Sequence, residues 1–413
     1  MQILYVSQYF PPEMGAPAAR VYELSREWVK LGHKVQVLTG FPNHPTGVIP
    51  PEYRGELFRR ERIDGIEVLR APIYAAPNRG VVRRSANYVS YALSASAVGP
   101  LLARRPDVVI ATSPQFLTGV AGLWLARLFR RPFVFEVRDL WPRSIVEVGA
   151  LKGGSPAVRA LELVEKGLYR AADQIVAVTD SFVDEIAAKG IDRRKIAVVK
   201  NGVDLELFCP GPKENWVREQ YGLTGKFVAT YVGTHGMAHG LGTILEAAEL
   251  LKADDRFRFL LVGEGAEKRA LKERAARMGL SNVLFVDQQP REKIPDFLRA
   301  SDVCLVLLRD KPLFRTVIPS KIFEIMGCGR PIVLGVDGEA RGIVEEAGAG
   351  VAFPPDDARA LVKALNGLPL GAPPIEGPGR AGRRFVEARF GRTPLASRYA
   401  AILAKISAGE RAA

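Results

Sequence analysis

The sequence is poor in cysteine, with only 3 Cys among 413 residues. Cys209, Cys304 and Cys328 are odd in number and show no CxxC or other metal-type spacing, which argues against a disulfide scaffold and against a zinc module. The simplest interpretation is three reduced, mostly buried thiols in a reducing compartment.

Several signatures of other protein classes are absent. No GxGxxG motif follows the first strand-like run, which disfavours a nicotinamide-binding domain. His235 and His239 are four residues apart, but no HExxH motif or third ligand accompanies them, so we expect no bound metal. No short-period repeat indicates a solenoid.

Acidic residues are fewer than basic ones, and the net charge is +13 with a pI near 9.7. This balance favours an anionic partner such as nucleic acid, a phosphorylated metabolite or an acidic membrane. The basic residues are scattered and form no stripe interleaved with aromatics, so nucleic acid is the least favoured partner.

The first residues, MQILYVSQYF, lack the basic and apolar regions of a signal peptide and read as a strand. We therefore expect a cytoplasmic protein.

The segment 85–102 carries no charge and lies between arginine pairs at 83–84 and 104–105. Its serines, Asn87 and a proline make it a poor membrane-spanning helix. Two interpretations remain open: a buried helix, or a surface helix that brings 79–105 into peripheral contact with the cytoplasmic face of the inner membrane. The side chains that would enter the headgroup region are Tyr88, Tyr91 and Leu93.

Apolar strand-like runs alternate with helical patterns along most of the chain, which predicts parallel sheets covered by helices. The alternation stops in a stretch rich in Gly, Pro and charge at 201–225 and then restarts. We predict an α/β protein of two doubly wound Rossmann-like domains. The first is 1–207 completed by a C-terminal helix at 393–413, and the second is 208–392.

Two such sheets that face each other create a cleft, and open parallel sheets bind ligands beyond the carboxyl ends of their strands. In the first domain this rule selects Gly15, in the loop after the first strand, and the pair Arg138 and Asp139. Gly15 allows close approach of a ligand to the backbone, Arg138 can hold an anion, and Asp139 can accept a hydroxyl or a proton. A mutual salt bridge is the structural alternative for the pair.

In the second domain the same rule selects the loop YVGTHGMAHGLG and the strand end VGEG. Glycines in both loops permit close backbone approach, and the two histidines are the ionisable groups of the first loop. The candidate residues are Gly233, Thr234, His235, His239, Gly263 and Glu264.

The stretch PSKIFEIMGCGRP begins a helix after an apolar strand. Ser320 and Lys321 lie where free N–H groups and a cation suit a diphosphate. Glu324, one turn later, can accept hydrogen bonds from two ribose hydroxyls. This arrangement predicts a nucleoside diphosphate site; a capped helix with an exposed Lys and Glu is the structural alternative.

At these residues the chain resembles glycosyltransferase family 4, the retaining GT-B enzymes that use nucleotide sugars. The resemblance rests on MGAP, RDLWP, KNGVD, YVG, VGEG and the PSKIFEIMGCGRPIV block, and it covers nearly the whole chain. The branch looks like bacterial exopolysaccharide and O-antigen enzymes such as fucosamine transferases.

The resemblance implies donor binding by the second domain, with Glu324 on the ribose, Ser320 and Lys321 on the diphosphate, and Gly15 approaching the donor from the first domain. It also implies an acceptor that is lipid-linked or a saccharide, and no cofactor beyond the nucleotide sugar, which is expected to be UDP-linked. Lys321, Arg138 and Asp139 are the residues expected to take part in catalysis.

The chain departs from the family pattern at three places. Thr316 stands where the family's first glutamate is usual, and Thr234 and His239 stand where an Arg and a Lys are usual. The missing positive charge would come from Lys321, with Arg315 or protonated His239 as further sources. Arg138 replaces the usual histidine before Asp139.

The predicted function is therefore retaining, metal-independent transfer of a sugar, with an N-acetylated deoxysugar as one candidate, from a UDP-sugar to a lipid-linked acceptor in surface polysaccharide synthesis. The alternative is a nucleotide-sugar 2-epimerase of the same fold.

Overall fold

The computed structural model describes residues 1–44, 46–76, 81–147, 149, 151–368 and 377–409. The chain divides into two compact units, Met1–Lys200 with Arg392–Ala413 and Asn201–Gly391. The second unit begins seven residues earlier than the predicted position 208, because Val203 already belongs to it: its N–H donates to the carbonyl of Phe390 at 2.9 Å.

The first unit contains an eight-stranded sheet in the order β3-β4-β2-β1-β5-β6-β7-β8. Its strands are β1 Gln2–Val6, β2 Lys34–Gly40, β3 Arg59–Ile63, β4 Ile66–Ala71, β5 Val108–Thr112, β6 Phe133–Val137, β7 Gln174–Ala177 and β8 Ile196–Val198. All pairs are parallel except β3 with β4. Because β1 lies between β2 and β5, the strand order reverses there, and the loops after β1 and β5 flank the ligand-binding position of this fold class.

Helices cover this sheet: α1 Ala16–Lys30, α2 Val81–Leu102, α3 Leu117–Phe129, α4 Arg143–Glu147, α5 Pro156–Ala171, α6 Asp180–Ala187 and α15 Arg392–Ser407. The last of these returns to the first unit, as predicted. Its backbone carbonyl at Ala396 accepts a hydrogen bond from Trp28 Nε1 at 3.0 Å, and the Tyr399 ring packs edge-on against Trp28 at 5.3 Å. The far end of the predicted segment, 410–413, is outside the described residues.

In helix α2, segment 85–102 has a buried side and an exposed side. One side is buried, with Asn87, Tyr91 and Ala95 against the sheet, and the other side exposes Val89 and Leu93. Tyr91, expected to reach the headgroup region, is instead fully buried and donates a hydrogen bond to the carbonyl of Leu38. Residues 79 and 80 of the wider segment are outside the described residues. Among the described residues, no helix has the length and apolar character to cross a bilayer.

The second unit contains a six-stranded parallel sheet in the order β11-β10-β9-β12-β13-β14. Its strands are β9 Phe227–Val232, β10 Phe257–Val262, β11 Val283–Val286, β12 Val303–Leu307, β13 Ile332–Gly335 and β14 Gly350–Ala352. The reversal of strand order falls between β9 and β12, so the loops after these two strands flank its ligand-binding position.

The helices of this unit are α7 Trp216–Gln220, α8 Gly242–Leu250, α9 Lys268–Arg277, α10 Ile294–Arg299, α11 Lys321–Gly327, α12 Glu339–Glu346, α13 Ala358–Asn366 and α14 Pro378–Arg389. Buried aliphatic and aromatic side chains fill both faces of the sheet, one core under α8, α9 and α13 and another under α7 and α10. The predicted pair of doubly wound parallel-sheet domains is confirmed.

Candidate functional site

Lys321 is the central residue of the predicted site in the second unit. The preceding β12 and the short turn at 312–316 deliver it to the first position of α11. Its ammonium is buried, lies 4.0 Å from the centre of the Tyr231 ring, and has no hydrogen-bond partner among the described residues. Burial lowers the pKa of Lys321 to about 7, although the Glu324 carboxylate opposes that change. A buried cation without an acceptor is unfavourable unless a ligand supplies one.

Glycines at the ends of β9 and β10 leave room beside that ammonium. A Cβ added to Gly233 would lie 2.5 Å from Lys321 Nζ, and one added to Gly263 would lie 1.9 Å from the carbonyl oxygen of Gly233. Both residues have φ near +145°, a conformation that disfavours any side chain. The backbone therefore approaches closely at the point where Lys321 ends.

Two histidines of the β9 loop lie beside this lysine, His235 buried and His239 half-buried. The ring nitrogens of His235 have no hydrogen-bond partner among the described residues. The backbone N–H of His235 donates to the backbone carbonyl of Glu264 at 2.8 Å. Burial, with the Lys268 and Lys321 cations, lowers the pKa of His235 to about 4. Burial and Lys321 lower the pKa of His239 to about 3. The expectation that protonated His239 adds positive charge is therefore wrong at neutral pH, because an imidazolium next to Lys321 is disfavoured.

Glu324 lies one turn along α11 and is partly buried. Its Oε1 accepts a hydrogen bond from Arg291 Nη1 at 3.0 Å. Arg291 follows β11 at the same edge of the sheet, and its guanidinium stacks 5.0 Å from the centre of the Phe208 ring. This pairing holds the carboxylate in a fixed position while its second oxygen remains an acceptor for a ligand.

Other predicted donor residues are less centrally placed. Arg315 is half exposed and pairs with Asp310 at 3.1 Å, and Glu264 is directed to Lys268. Thr234 is exposed, with its carbonyl accepting from the Tyr231 hydroxyl at 2.8 Å. Ser320 precedes α11 and makes no capping bond with its side chain. Thr316, at the position of the family's usual glutamate, donates from its hydroxyl to the carbonyl of Leu313.

The first unit gathers its own predicted residues at the carboxyl ends of β1 and β6. Arg138 donates from its guanidinium to the carbonyls of Ala16 and Pro17 at 3.0 and 3.2 Å, in the turn that follows Gly15. The Ser113 hydroxyl accepts from the backbone N–H groups of Arg138 and Asp139. Arg138 therefore holds the start of α1 in place. Its Nε has no hydrogen-bond partner among the described residues, so the predicted binding of an anion would fall to this group.

Two carboxyl groups of this unit have raised pKa values. Burial raises the pKa of Asp139 to about 6, against the opposing effect of Arg138. Burial raises the pKa of Glu13 to about 7, although its Oε1 accepts from the backbone N–H groups of Asn43 and His44. Carboxyls with pKa values near neutrality suit proton transfer and hydroxyl binding.

Two further features of the described residues bear on the choice of site. A surface depression of about 360 Å³ between α8 and α13 is lined by carboxylates, which do not suit a diphosphate. Those carboxylates belong to Glu246, Glu249, Asp356 and Asp357. No group of three or more His, Cys, Asp and Glu side chains is arranged to hold a metal ion in the described part of the chain.

Sequence reasoning brought Gly233, His235, Gly263, Lys321 and Glu324 together correctly as neighbours of one sheet edge. It missed Tyr231, Arg291 and Glu13. Arg291 follows the end of a strand, so the strand-end rule that selected the others would have found it. Tyr231 lies in a strand that is buried up to its last residue, and no sequence pattern marks a buried ring as a cation partner.

Two family models match the chain. The glycosyl transferase 4-like domain matches residues 15–202, and the glycosyl transferases group 1 domain matches residues 226–368. The first match falls almost wholly on the first unit and the second falls within the second unit.

Relatives and solved structures agree with these models. The probable glycosyltransferase WbjE of Pseudomonas aeruginosa is 29% identical over 275 residues, which is 64% of this chain and 66%, or just under two thirds, of WbjE. A D-inositol 3-phosphate glycosyltransferase of Streptomyces bingchenggensis is 24% identical over 97% of this chain and 86% of its own. Sucrose-phosphate synthase of Thermosynechococcus elongatus has the same fold, with a TM-score of 0.77, 19% identity and 99% coverage of both chains. Anabaena HepE in complex with UDP-glucose has a TM-score of 0.72 at 18% identity, over 98% of this chain and 100% of HepE.

The two parallel-sheet domains and the two matched models define a glycosyltransferase of the GT-B fold. The chain belongs to glycosyltransferase family 4.

Proposed function

We propose that this glycosyltransferase moves a sugar from a UDP-sugar to a lipid-linked acceptor, with retention at the anomeric carbon. The observation that carries the donor half of this proposal is the buried, unpartnered ammonium of Lys321 beside the bare backbone of Gly233 and Gly263. A diphosphate supplies the acceptor oxygens that this ammonium lacks, and the Glu324 carboxylate one turn later suits ribose hydroxyls. HepE, which binds UDP-glucose, shares the fold and supports UDP as the nucleotide.

The proposed chemistry follows from where charge develops. The bond from the anomeric carbon to the diphosphate oxygen breaks, the acceptor oxygen bonds to that carbon on the same face, and UDP leaves. The acceptor proton passes to the leaving phosphate oxygen. Because the diphosphate gains negative charge as the bond breaks, Lys321 stabilises the transition state more than the bound substrate. We assign Arg138 and Asp139 to acceptor positioning.

Fewer observations bear on the acceptor than on the donor. A lipid-linked acceptor is supported by the fold shared with WaaG, a glycosyltransferase involved in lipopolysaccharide biosynthesis, at a TM-score of 0.69. A soluble phosphorylated acceptor is the second candidate, supported by the D-inositol 3-phosphate glycosyltransferases among the relatives. The epimerase alternative predicts free UDP and a 2-epimer when the protein is incubated with UDP-N-acetylglucosamine alone.

Peripheral membrane contact is part of the same proposal. Helices α2 and α3 pack together, and Trp124 Nε1 of α3 donates to the carbonyl of Ser96 of α2 at 3.3 Å. Their outer sides form one surface, the α2–α3 apolar face, made of Val89, Leu93, Leu101, Val120, Trp124 and Leu128. Exposed arginines flank it at 104, 105, 127 and 130. This combination suits an anionic bilayer surface, and sedimentation with phosphatidylglycerol vesicles measures the contact.

The donor proposal is tested with Lys321→Ala and Glu324→Ala. We expect each substitution to weaken UDP binding about 10- to 100-fold, the range for a lost hydrogen bond to a charged group. Isothermal titration calorimetry with UDP measures the affinity, and thermal unfolding checks the fold.

Lys311→Ala is the matched control, since Lys311 is an exposed lysine of the loop that precedes α11. It should bind UDP as the unchanged protein does. Unaltered UDP affinity in both site variants would remove the proposed donor site.

A further inference from the structure

A cavity of about 180 Å³ lies in the first unit among α2, α3, α4 and α5. Its walls include Tyr88, Val89, Phe116, Trp141, Leu161 and Arg84. The Phe116 and Trp141 rings are stacked at 6.5 Å, and Tyr88 meets Trp141 edge-on at 6.2 Å. A cavity of about 150 Å³ with apolar walls holds a benzene molecule, so this one has room for a branched apolar group of similar size.

One side of this cavity is polar. Arg84, Ser85 and Gln115 line the cavity there, and the Gln115 side-chain amide donates to the backbone carbonyl of Tyr88 at 3.0 Å. Burial raises the pKa of Tyr88, while the nearby Arg84 cation lowers it and the Asp139 carboxylate raises it again. Arg84 is a cation in the cavity wall, and Asp139 adjoins the wall residue Trp141, whose backbone N–H donates to the Asp139 backbone carbonyl at 3.1 Å.

The other side of the cavity continues into the α2–α3 apolar face. Val89 belongs to both, since it lines the cavity and has 44% of its surface exposed. The cavity and the α2–α3 apolar face therefore share a wall residue, and an apolar chain on this face adjoins the cavity at Val89. These features match the parts of an amphiphile. The apolar face and the cavity suit the chain, Arg84 suits the phosphate, and Asp139 suits a sugar hydroxyl.

We propose that this cavity binds the apolar chain of an anionic lipid acceptor, next to the phosphate that joins the chain to the acceptor sugar. This inference rests on the proposed function, because it names the part of the acceptor that the first unit recognises. Arg84 attracts the phosphate, the aromatic walls bury the first segment of the chain, and the acceptor hydroxyl is held on the Asp139 side. Burial of two or more methylenes of the chain gives about a tenfold or larger gain in affinity over the phosphate alone.

The experiment uses farnesyl diphosphate, below its micelle concentration, as the chain-bearing probe and inorganic pyrophosphate as the probe without a chain. Calorimetry on the full-length protein is expected to show at least tenfold tighter binding of farnesyl diphosphate. Leu161→Lys places a charge in the cavity wall and should remove that advantage. Leu163→Lys is the matched control, because Leu163 lies two positions along α5 and has 73% of its surface exposed; we expect less than a twofold change.

Val89→Lys is a second variant, at a half-exposed position where folding is not at risk, and it should weaken farnesyl diphosphate in the same way. UDP affinity is measured for every variant and should stay constant, which separates a failure of the lipid proposal from a failure of the donor site. Equal affinity for the two probes, or equal farnesyl diphosphate affinity in all variants, overturns the proposal. If the variants weaken binding to phosphatidylglycerol vesicles but leave the affinity for farnesyl diphosphate unchanged, the apolar face is a bilayer contact and the cavity is not an acceptor site.

Discussion

At the scale of single residues, the second unit contains a lysine, Lys321, whose ionisation should be coupled to binding of the proposed ligand. The Lys321 ammonium is buried, and its neighbours include the rings of Tyr231, His235 and His239. The ammonium is therefore poorly solvated in the free protein, and an anion restores the stabilisation that water provided.

A pH dependence of donor binding follows. The pKa of Lys321 is about 7 in the free protein and must be higher with a diphosphate bound, since the anion stabilises the charged form. Between those two values, binding takes up one proton, so the dissociation constant of UDP should rise about tenfold per pH unit above pH 7. Calorimetry from pH 7.5 to 9, where UDP is fully ionised, measures the slope.

Lys321→Met should bind UDP weakly and with no such slope. A slope that persists in this variant would assign the proton to another group.

At the scale of elements, the predicted fold was largely correct because both sheets consist of buried parallel strands, which read as continuous apolar runs. The runs that became β1, β2 and β5 to β13 were all recognised in the sequence. Strands β3, β4 and β14 were missed. The β3 sequence RRERI is mostly charged and lies at the sheet edge, β4 carries two charged residues among its apolar ones, and β14 is only three residues long.

The site was predicted less completely than the fold. Glycines, a lysine and a glutamate at strand ends are visible in a sequence because the strand-end rule needs only local patterns. The engagement of Arg138 with the turn after Gly15, and of Arg291 with Glu324, depends on side chains that meet from distant segments. The pKa values of the two histidines likewise depend on burial that no local pattern reports.

The ends of β9 and β10 provide a test at this scale. Gly263→Ala places a methyl group against the carbonyl oxygen of Gly233 in a backbone conformation that only glycine adopts readily. We expect it to destabilise the second unit by about 2 kcal/mol or more and to weaken UDP binding. Urea denaturation and UDP titration measure the two effects.

Gly236→Ala is the comparison in the same region, because Gly236 has φ of −121° and its added Cβ would lie 3.4 Å from the nearest atom. It should be close to neutral in both measurements. Equal behaviour of the two variants would contradict the close backbone approach assigned to Gly263.

At the scale of the whole molecule, the donor contacts proposed here all lie between residues 231 and 324, inside one unit. That unit has its own buried cores on both faces of its sheet. A fragment of residues 201–391 should therefore fold and bind UDP within about tenfold of the full chain, since the proposed nucleotide contacts are intact. Circular dichroism and calorimetry on the fragment test this.

Loss of UDP binding by a folded fragment would show that the first unit supplies essential nucleotide contacts, with Gly15 as the first residue to examine.

The return of α15 to the first unit has a consequence for protein engineering. The Ser407 hydroxyl lies 3.8 Å from the sulfur of Met1, so the first unit closes on itself and the second unit is an insertion between Lys200 and Arg392. Two peptide junctions, one after β8 and one at the first residue of α15, are then the covalent links to be matched when second units are exchanged between related enzymes. A chimera that takes residues 201–391 from a relative with a different nucleotide sugar should change the sugar delivered while it keeps the original acceptor.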